Sequence, residues 1–132
     1  MSSRIRFFAH RSFSVFLPLL GGALSALSAS ASDWQEREVL MYGALNYMQE
    51  VCIAFQKDDR VSYRMESAHE VYFDVHYHPE AGTQFKERLE AVTATEGQFI
   101  SEAAQSYCFT WKNKAGIETD WTANLFYRVA RQ

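Results

Sequence analysis

Two stretches between positions 60 and 78, separated by a turn that carries His69, alternate apolar and polar residues. In RVSYRMES (60–67), Val61, Tyr63 and Met65 alternate with Ser62, Arg64 and Glu66; in EVYFDVHYH (70–78), Val71, Phe73, Val75 and Tyr77 oppose Glu70, Tyr72, Asp74, His76 and His78. A period of two belongs to a strand with one buried and one wet face. Pro79, which has no N–H to offer a ladder, closes the run. The same period returns in SYCFTWKN, where Tyr107, Phe109 and Trp111 alternate, and in ETDWTANLFYRV, where Trp121, Ala123, Leu125 and Tyr127 are in phase. A turn around KNKAG separates these two segments. Several short alternating strands about ten residues apart, joined by polar turns, predict an all-β fold, an antiparallel β-sandwich. Phe73, Phe99, Trp111 and Trp121 are expected in its core.

Two stretches depart from this pattern. Residues 34–48 (WQEREVLMYGALNYM) place Leu40, Ala44, Tyr47 and Met48, followed by Val51, at helical spacing, with Asp33 available as a cap, so a short N-terminal helix is expected there. GTQFKERLEAVTATEG (82–97) reads either way, because Phe85, Leu89 and Val92 also suit a helix.

The beginning of the chain is a third kind of sequence. Arg4, Arg6 and Arg11 precede the uncharged run FSVFLPLLGGALSALSA, and Ala29 and Ala31 supply small side chains at alternate positions. A basic region, an apolar region and an Ala-x-Ala exit make a secretory signal peptide, with cleavage expected before Ser32. An uncleaved anchor is the alternative, but Pro18, Gly21 and Gly22 make a poor and short spanning helix. No Cys lies near the exit to carry a lipid. The expected organisation is a leader over 1–31, a helical lead-in over 32–49 and a β-sandwich over 50–132, in the periplasm or outside the cell and with no stable membrane span once the leader is removed.

Removing the leader takes three of the 13 basic residues and none of the 16 acidic ones, so ten face 16 and the formal charge is −6. Nucleic acid and anionic membrane surfaces reward clustered Lys and Arg, so neither is an expected partner. No phosphate loop, nucleotide fingerprint or Ser nucleophile motif occurs. Both cysteines, Cys52 and Cys108, fall in the exported part, where an oxidising compartment favours a disulfide; two free thiols, or a thiol metal ligand, is the competing reading. Closing a loop of about 57 residues stabilises a fold by roughly 4 kcal/mol in the chain-entropy model.

The order of these segments resembles a known family. A Cys-bearing strand (EVCIAFQ), a polar turn, YRMES, VYFDVHYHP, then EGQFISEAAQSYCFTWKN and a closing strand resemble the GOLD-like β-sandwich of the emp24/p24 luminal domains. Closer still are small exported bacterial proteins of that general type, with an F-x-V-H-Y-H strand and a Y-C-x-x-W-x-N strand. The likeness spans about residues 50 to 130. It implies the sandwich fold, a Cys52–Cys108 pairing and a habit of binding proteins through a sandwich surface. The p24 proteins continue into a coiled coil, a membrane span and a sorting tail, whereas this chain stops at Gln132, so their cargo-receptor role is not carried over.

The histidines offer the one candidate site. Residues i and i+2 of a strand point the same way with Cα atoms about 6.5 to 7 Å apart, so His76 and His78 could share one Zn or Cu ion. Asp74 is the next group along, and His69, Glu70 or Tyr72 could add a further ligand. Against this stands the plain reading that Asp74, His76 and His78 are a solvated polar face; a third reading makes them a pH-sensitive contact. A type-1 copper site is excluded, because no His follows Cys108. Catalysis is not expected: the carboxylates Glu87, Glu90, Glu96 and Glu102 have no evident pairing, and oxidised cysteines provide no nucleophile. The sequence predicts a non-enzymatic, exported binding or accessory module with an unknown protein partner and no cofactor; the alternative is a periplasmic Cu/Zn-binding protein using His76, His78, Asp74 and His69.

Overall fold

The structure is a computed structural model that describes residues 32–131. It contains six strands: β1 (Gln35–Met41), β2 (Met48–Phe55), β3 (Arg60–Tyr77), β4 (Gln84–Ile100), β5 (Gln105–Lys112) and β6 (Trp121–Ala130). All pair antiparallel in a single sheet ordered β1-β6-β3-β5-β2, with β4 on the other edge of β3. The expected leader over 1–31 lies outside the described residues.

The two alternating runs at 60–67 and 70–78 are one long strand. β3 is 18 residues long, and its two halves have different neighbours. Arg60–Ser67 pairs with β6, whereas Tyr72–Tyr77 pairs with β5. Between them the register against β4 slips from Glu66↔Ala94 to Val71↔Val92, leaving residues 67–70 opposite the single position 93. Extra residues on one strand bend it and increase its twist. The sheet therefore curls, and its two halves close over one core.

That closure is visible in the aromatic contacts. Tyr63, from the first half of β3, meets Phe109 of β5 edge-on at 5.5 Å between ring centroids, and Phe55 of β2 reaches Tyr127 of β6 at 6.3 Å. Phe73, Phe109 and Trp111 are fully buried, and Phe99 and Trp121 nearly so, as the alternation required. The ambiguous stretch at 82–97 is strand: β4 follows β3 along its length, and Gly97 stands opposite Tyr63. A Cβ at Gly97 would come within 2.4 Å of the Tyr63 hydroxyl, so the ring occupies the space a side chain would need.

The helix expected over 34–48 is not formed. Gln35–Met41 is strand β1, paired residue for residue with Met41↔Trp121 through Gln35↔Tyr127 of β6. Val39 and Met41 are buried, while Leu40 and Met48, two of the residues that set the helical period, are exposed. The spacing arose from surface apolar residues rather than from a core face. Gly43 cannot carry a side chain, because a Cβ would lie 2.2 Å from the Glu118 carbonyl oxygen, and its N–H donates to Asp120 Oδ1 at 2.8 Å.

Asn113, just past β5, fastens this loop. Its Nδ2 donates to the carbonyls of Ala44 (3.0 Å) and Ile117 (2.8 Å), and its Oδ1 accepts from Ile117 N–H (3.1 Å). A buried amide with its bonds satisfied holds two otherwise separate loops in one arrangement.

Candidate functional site

The register assembles a polar grid on the outer face of the β2–β5–β3 half. Cys52 stands opposite Cys108, which stands opposite His76; two residues along, Glu50 stands opposite Thr110, which stands opposite Asp74. Cys52 and Cys108 are joined by a disulfide, with Cα atoms 4.0 Å apart. This bears out the pairing expected of cysteines in an oxidising compartment.

The solvated-face reading holds for Glu70 and His78 but not for the residues between them. Asp74 is 4% exposed and His76 8%, and Tyr72 is buried as well. Neighbouring side chains cover this strip. Phe85 packs on His76 with ring centroids 5.7 Å apart, and Arg88 lies over Phe85 while donating from Nε to Tyr72 Oη at 3.2 Å. The Lys114 ammonium caps the Tyr72 ring at 4.8 Å from its centroid. Burial pushes the Tyr72 phenol up from its usual range, and the Arg88 hydrogen bond opposes that shift.

A directed pair lies under this cover. His76 Nδ1 donates to Asp74 Oδ1 at 2.6 Å. A carboxylate offers only acceptors, so the proton of this bond sits on Nδ1, and a neutral ring keeps its lone pair on Nε2. Nε2 faces Glu50 Oε2 at 3.8 Å, beyond hydrogen-bond reach, while Thr110 Oγ1 donates to the same oxygen at 3.2 Å. The other Glu50 oxygen lies 3.2 Å from Cys52 Sγ, a contact rather than a hydrogen bond because a disulfide sulfur has no proton.

The four residues named from the sequence are only partly brought together. Asp74 and His76 are bonded, and the His76 and His78 rings meet edge-on at 4.9 Å, but His78 lies exposed and its Nδ1 pairs with Thr83 Oγ1 at 3.3 Å. His69 sits in the β3 bend, edge-on to Trp121 at 5.3 Å and seven residues along the strand from His76. Among the described residues, the His, Cys, Asp and Glu donors that come within 4.8 Å of one another in a group of three are those of Glu50, His76 and Cys108, and the Cys108 sulfur is bound to Cys52. Glu50 was not singled out in the sequence. Its signal was the cysteine pairing, which puts Glu50 on the same face of β2 as Cys52; placing β5 beside β3 required the fold.

A second polar cluster closes the far end of β3. Tyr77 Oη donates to Glu102 Oε2 at 2.5 Å, and Lys86 pairs with Glu102 as well. The hydrogen bond to Glu102, with burial adding to it, pushes the Tyr77 phenol up to about 12, and the Lys86 contact followed by the Tyr77 bond holds Glu102 below its usual range.

Exposed apolar side chains are concentrated around the β1–β2 connection. Leu40, Tyr42, Leu45 and Met48 are 48%, 49%, 66% and 56% exposed. Comparison with protein-family models finds no match, and comparison with curated proteins finds no significant relative.

Proposed function

We propose that this chain is an exported, disulfide-stapled β-sandwich of GOLD-like type that works as a binding module, engaging a protein partner through the apolar tip at the β1–β2 connection. The observation that carries this reading is the exposure of Leu40, Tyr42, Leu45 and Met48 within one nine-residue stretch. Contiguous exposed apolar side chains on a small domain mark an interaction surface. The loop bearing them is held by Asn113 and by the Gly43–Asp120 bond, so the tip is presented in one shape and little ordering is left for association. The excess of acidic residues favours a protein over an anionic surface.

Support for the sandwich comes from the aromatic contacts between the two halves of the curled sheet, and support for export comes from the leader pattern and the disulfide. Ser32, the residue after the expected cleavage point, is tied to β6: its N–H donates to Val129 O at 2.9 Å, and its Oγ accepts from Val129 N–H at 3.0 Å. The metal-binding alternative in its H-x-H form draws less support, because among the described residues no group of three His, Cys, Asp or Glu donors includes both His76 and His78.

Photo-crosslinking in the producing cell tests the reading. A photoreactive residue at Leu45 is expected to capture one discrete protein, and Tyr42→Asp or Met48→Asp to abolish that capture. Identical crosslinking from an exposed control position on β4 such as Thr93 would sink the proposal.

A further inference from the structure

The grid around Cys108 has more chemistry than a structural disulfide requires. A staple between two paired strands needs no imidazole beside it, yet a buried carboxylate orients His76 so that Nε2 faces Glu50, with a ring nitrogen within 4.8 Å of the Cys108 sulfur. A histidine whose Nδ1–H is held by a carboxylate while Nε2 is left available has the arrangement that metal-ligating imidazoles use. Around a tetrahedral ion with bonds of about 2.0 to 2.3 Å, neighbouring donors lie roughly 3.3 to 3.8 Å apart. The 3.8 Å between His76 Nε2 and Glu50 Oε2 is of that size, the 3.2 Å between the other Glu50 oxygen and Cys52 Sγ is slightly shorter, and the Cys108 sulfur lies within 4.8 Å of a donor atom of His76 and of Glu50. The disulfide itself is what keeps these atoms from being a ligand set.

We propose that Cys52–Cys108 gates a metal site: reduced, its two thiolates join His76 Nε2 and the Glu50 carboxylate to bind one zinc-class divalent cation, with Asp74 positioning His76. Cys52 is exposed and Cys108 buried, which fixes the order of opening. A thiolate of an external dithiol attacks Cys52 Sγ, forming a mixed disulfide there and breaking the bond to Cys108. Cys108 leaves as a thiolate beside His76. The second thiol of the donor then closes the donor's own disulfide and frees Cys52. Two electrons pass from the dithiol to the protein disulfide, and two protons accompany them until the cation displaces both from the thiols. Neutral imidazole, carboxylate and two thiolates form a donor set suited to Zn(II).

The test measures Zn(II) affinity of the purified chain by competition with a chromophoric chelator, oxidised and after reduction with a phosphine. One Zn(II) per chain is expected, bound at least about 100-fold more tightly by the reduced form, with a thiolate-to-metal charge-transfer band when Co(II) replaces Zn(II). His76→Ala and Glu50→Gln should each weaken reduced-state binding tenfold or more, and Cys108→Ser should make affinity indifferent to the phosphine. Asp74→Asn should keep the charge-transfer band while weakening binding by about 10-fold to 100-fold. Equal affinity in the two redox states, or full affinity in His76→Ala, overturns the proposal. Should reduction unfold the chain, Zn(II) is expected to restore its near-ultraviolet circular dichroism; failure to do so, or equal restoration in His76→Ala, also overturns it.

Discussion

Asn113 shows how one side chain can decide a surface. Its amide serves two carbonyls and one N–H belonging to loops that touch nowhere in sequence, and it is fully buried. Asn113→Ala should cost about 1 to 3 kcal/mol in denaturant unfolding, since three part-buried hydrogen bonds, each worth about 0.5 to 1.5 kcal/mol, are lost. At Gly43 the constraint is steric. Gly43→Ala should lower stability and loosen the tip, seen as faster amide exchange at residues 43–47, because the Glu118 backbone occupies the Cβ position. At Glu102 the constraint is electrostatic. Its folded pKa lies below the unfolded value of about 4.3, so its contribution is present above that value and is lost as pH falls through the depressed folded one. Glu102→Gln should flatten the acid side of the stability profile in that window, read by thermal midpoint against pH.

At the scale of elements, β3 does most of the organising. Its alternation was legible from the sequence in both halves, and the buried aromatics follow from it. The continuity of the two halves was not legible, because SAHE at 67–70 reads as a turn and serves as a bend: only pairing with the unbroken β4 carries the strand through it. Phe73, just beyond the bend, contacts Tyr63 at 6.2 Å and Trp111 at 5.4 Å and so joins the two halves. Phe73→Ala should cost about 3 to 5 kcal/mol in equilibrium unfolding. β1 was misread for a related reason: in a short edge strand, the apolar residues kept for the surface count as heavily in a periodicity as those kept for the core.

For the whole molecule, the disulfide and the buried phenols set the limits of stability. Cys52 and Cys108 are 56 positions apart, and Cys108→Ser should lower stability by roughly 2 to 5 kcal/mol in denaturant melts. Tyr63 is pushed well above its usual range, by burial first and then by the Glu87 carboxylate, and Tyr77 rises to about 12. A phenol whose folded pKa is raised contributes stability that is intact below the unfolded value of about 10 and lost as pH climbs through the folded one. The tyrosinate absorbance lost in the double variant Tyr63→Phe, Tyr77→Phe should therefore be the part that rises cooperatively with unfolding above about pH 10 rather than gradually from that value.

The strand character of β3, β5 and β6, the aromatic core and the favoured oxidation of the cysteines came from the sequence, because period, side-chain type and compartment are local or compositional properties. Which polar residues on the outer face stay wet came only from the tertiary structure. Asp74, His76 and His78 look equivalent along the strand, yet β4 lays Arg88 and Phe85 on one side of the first two and β5 lays Thr110 and Cys108 on the other, while His78 runs out past the cover. Burial of one face is written in alternation. Burial of the other depends on which strands lie alongside, and that is decided by long-range pairing.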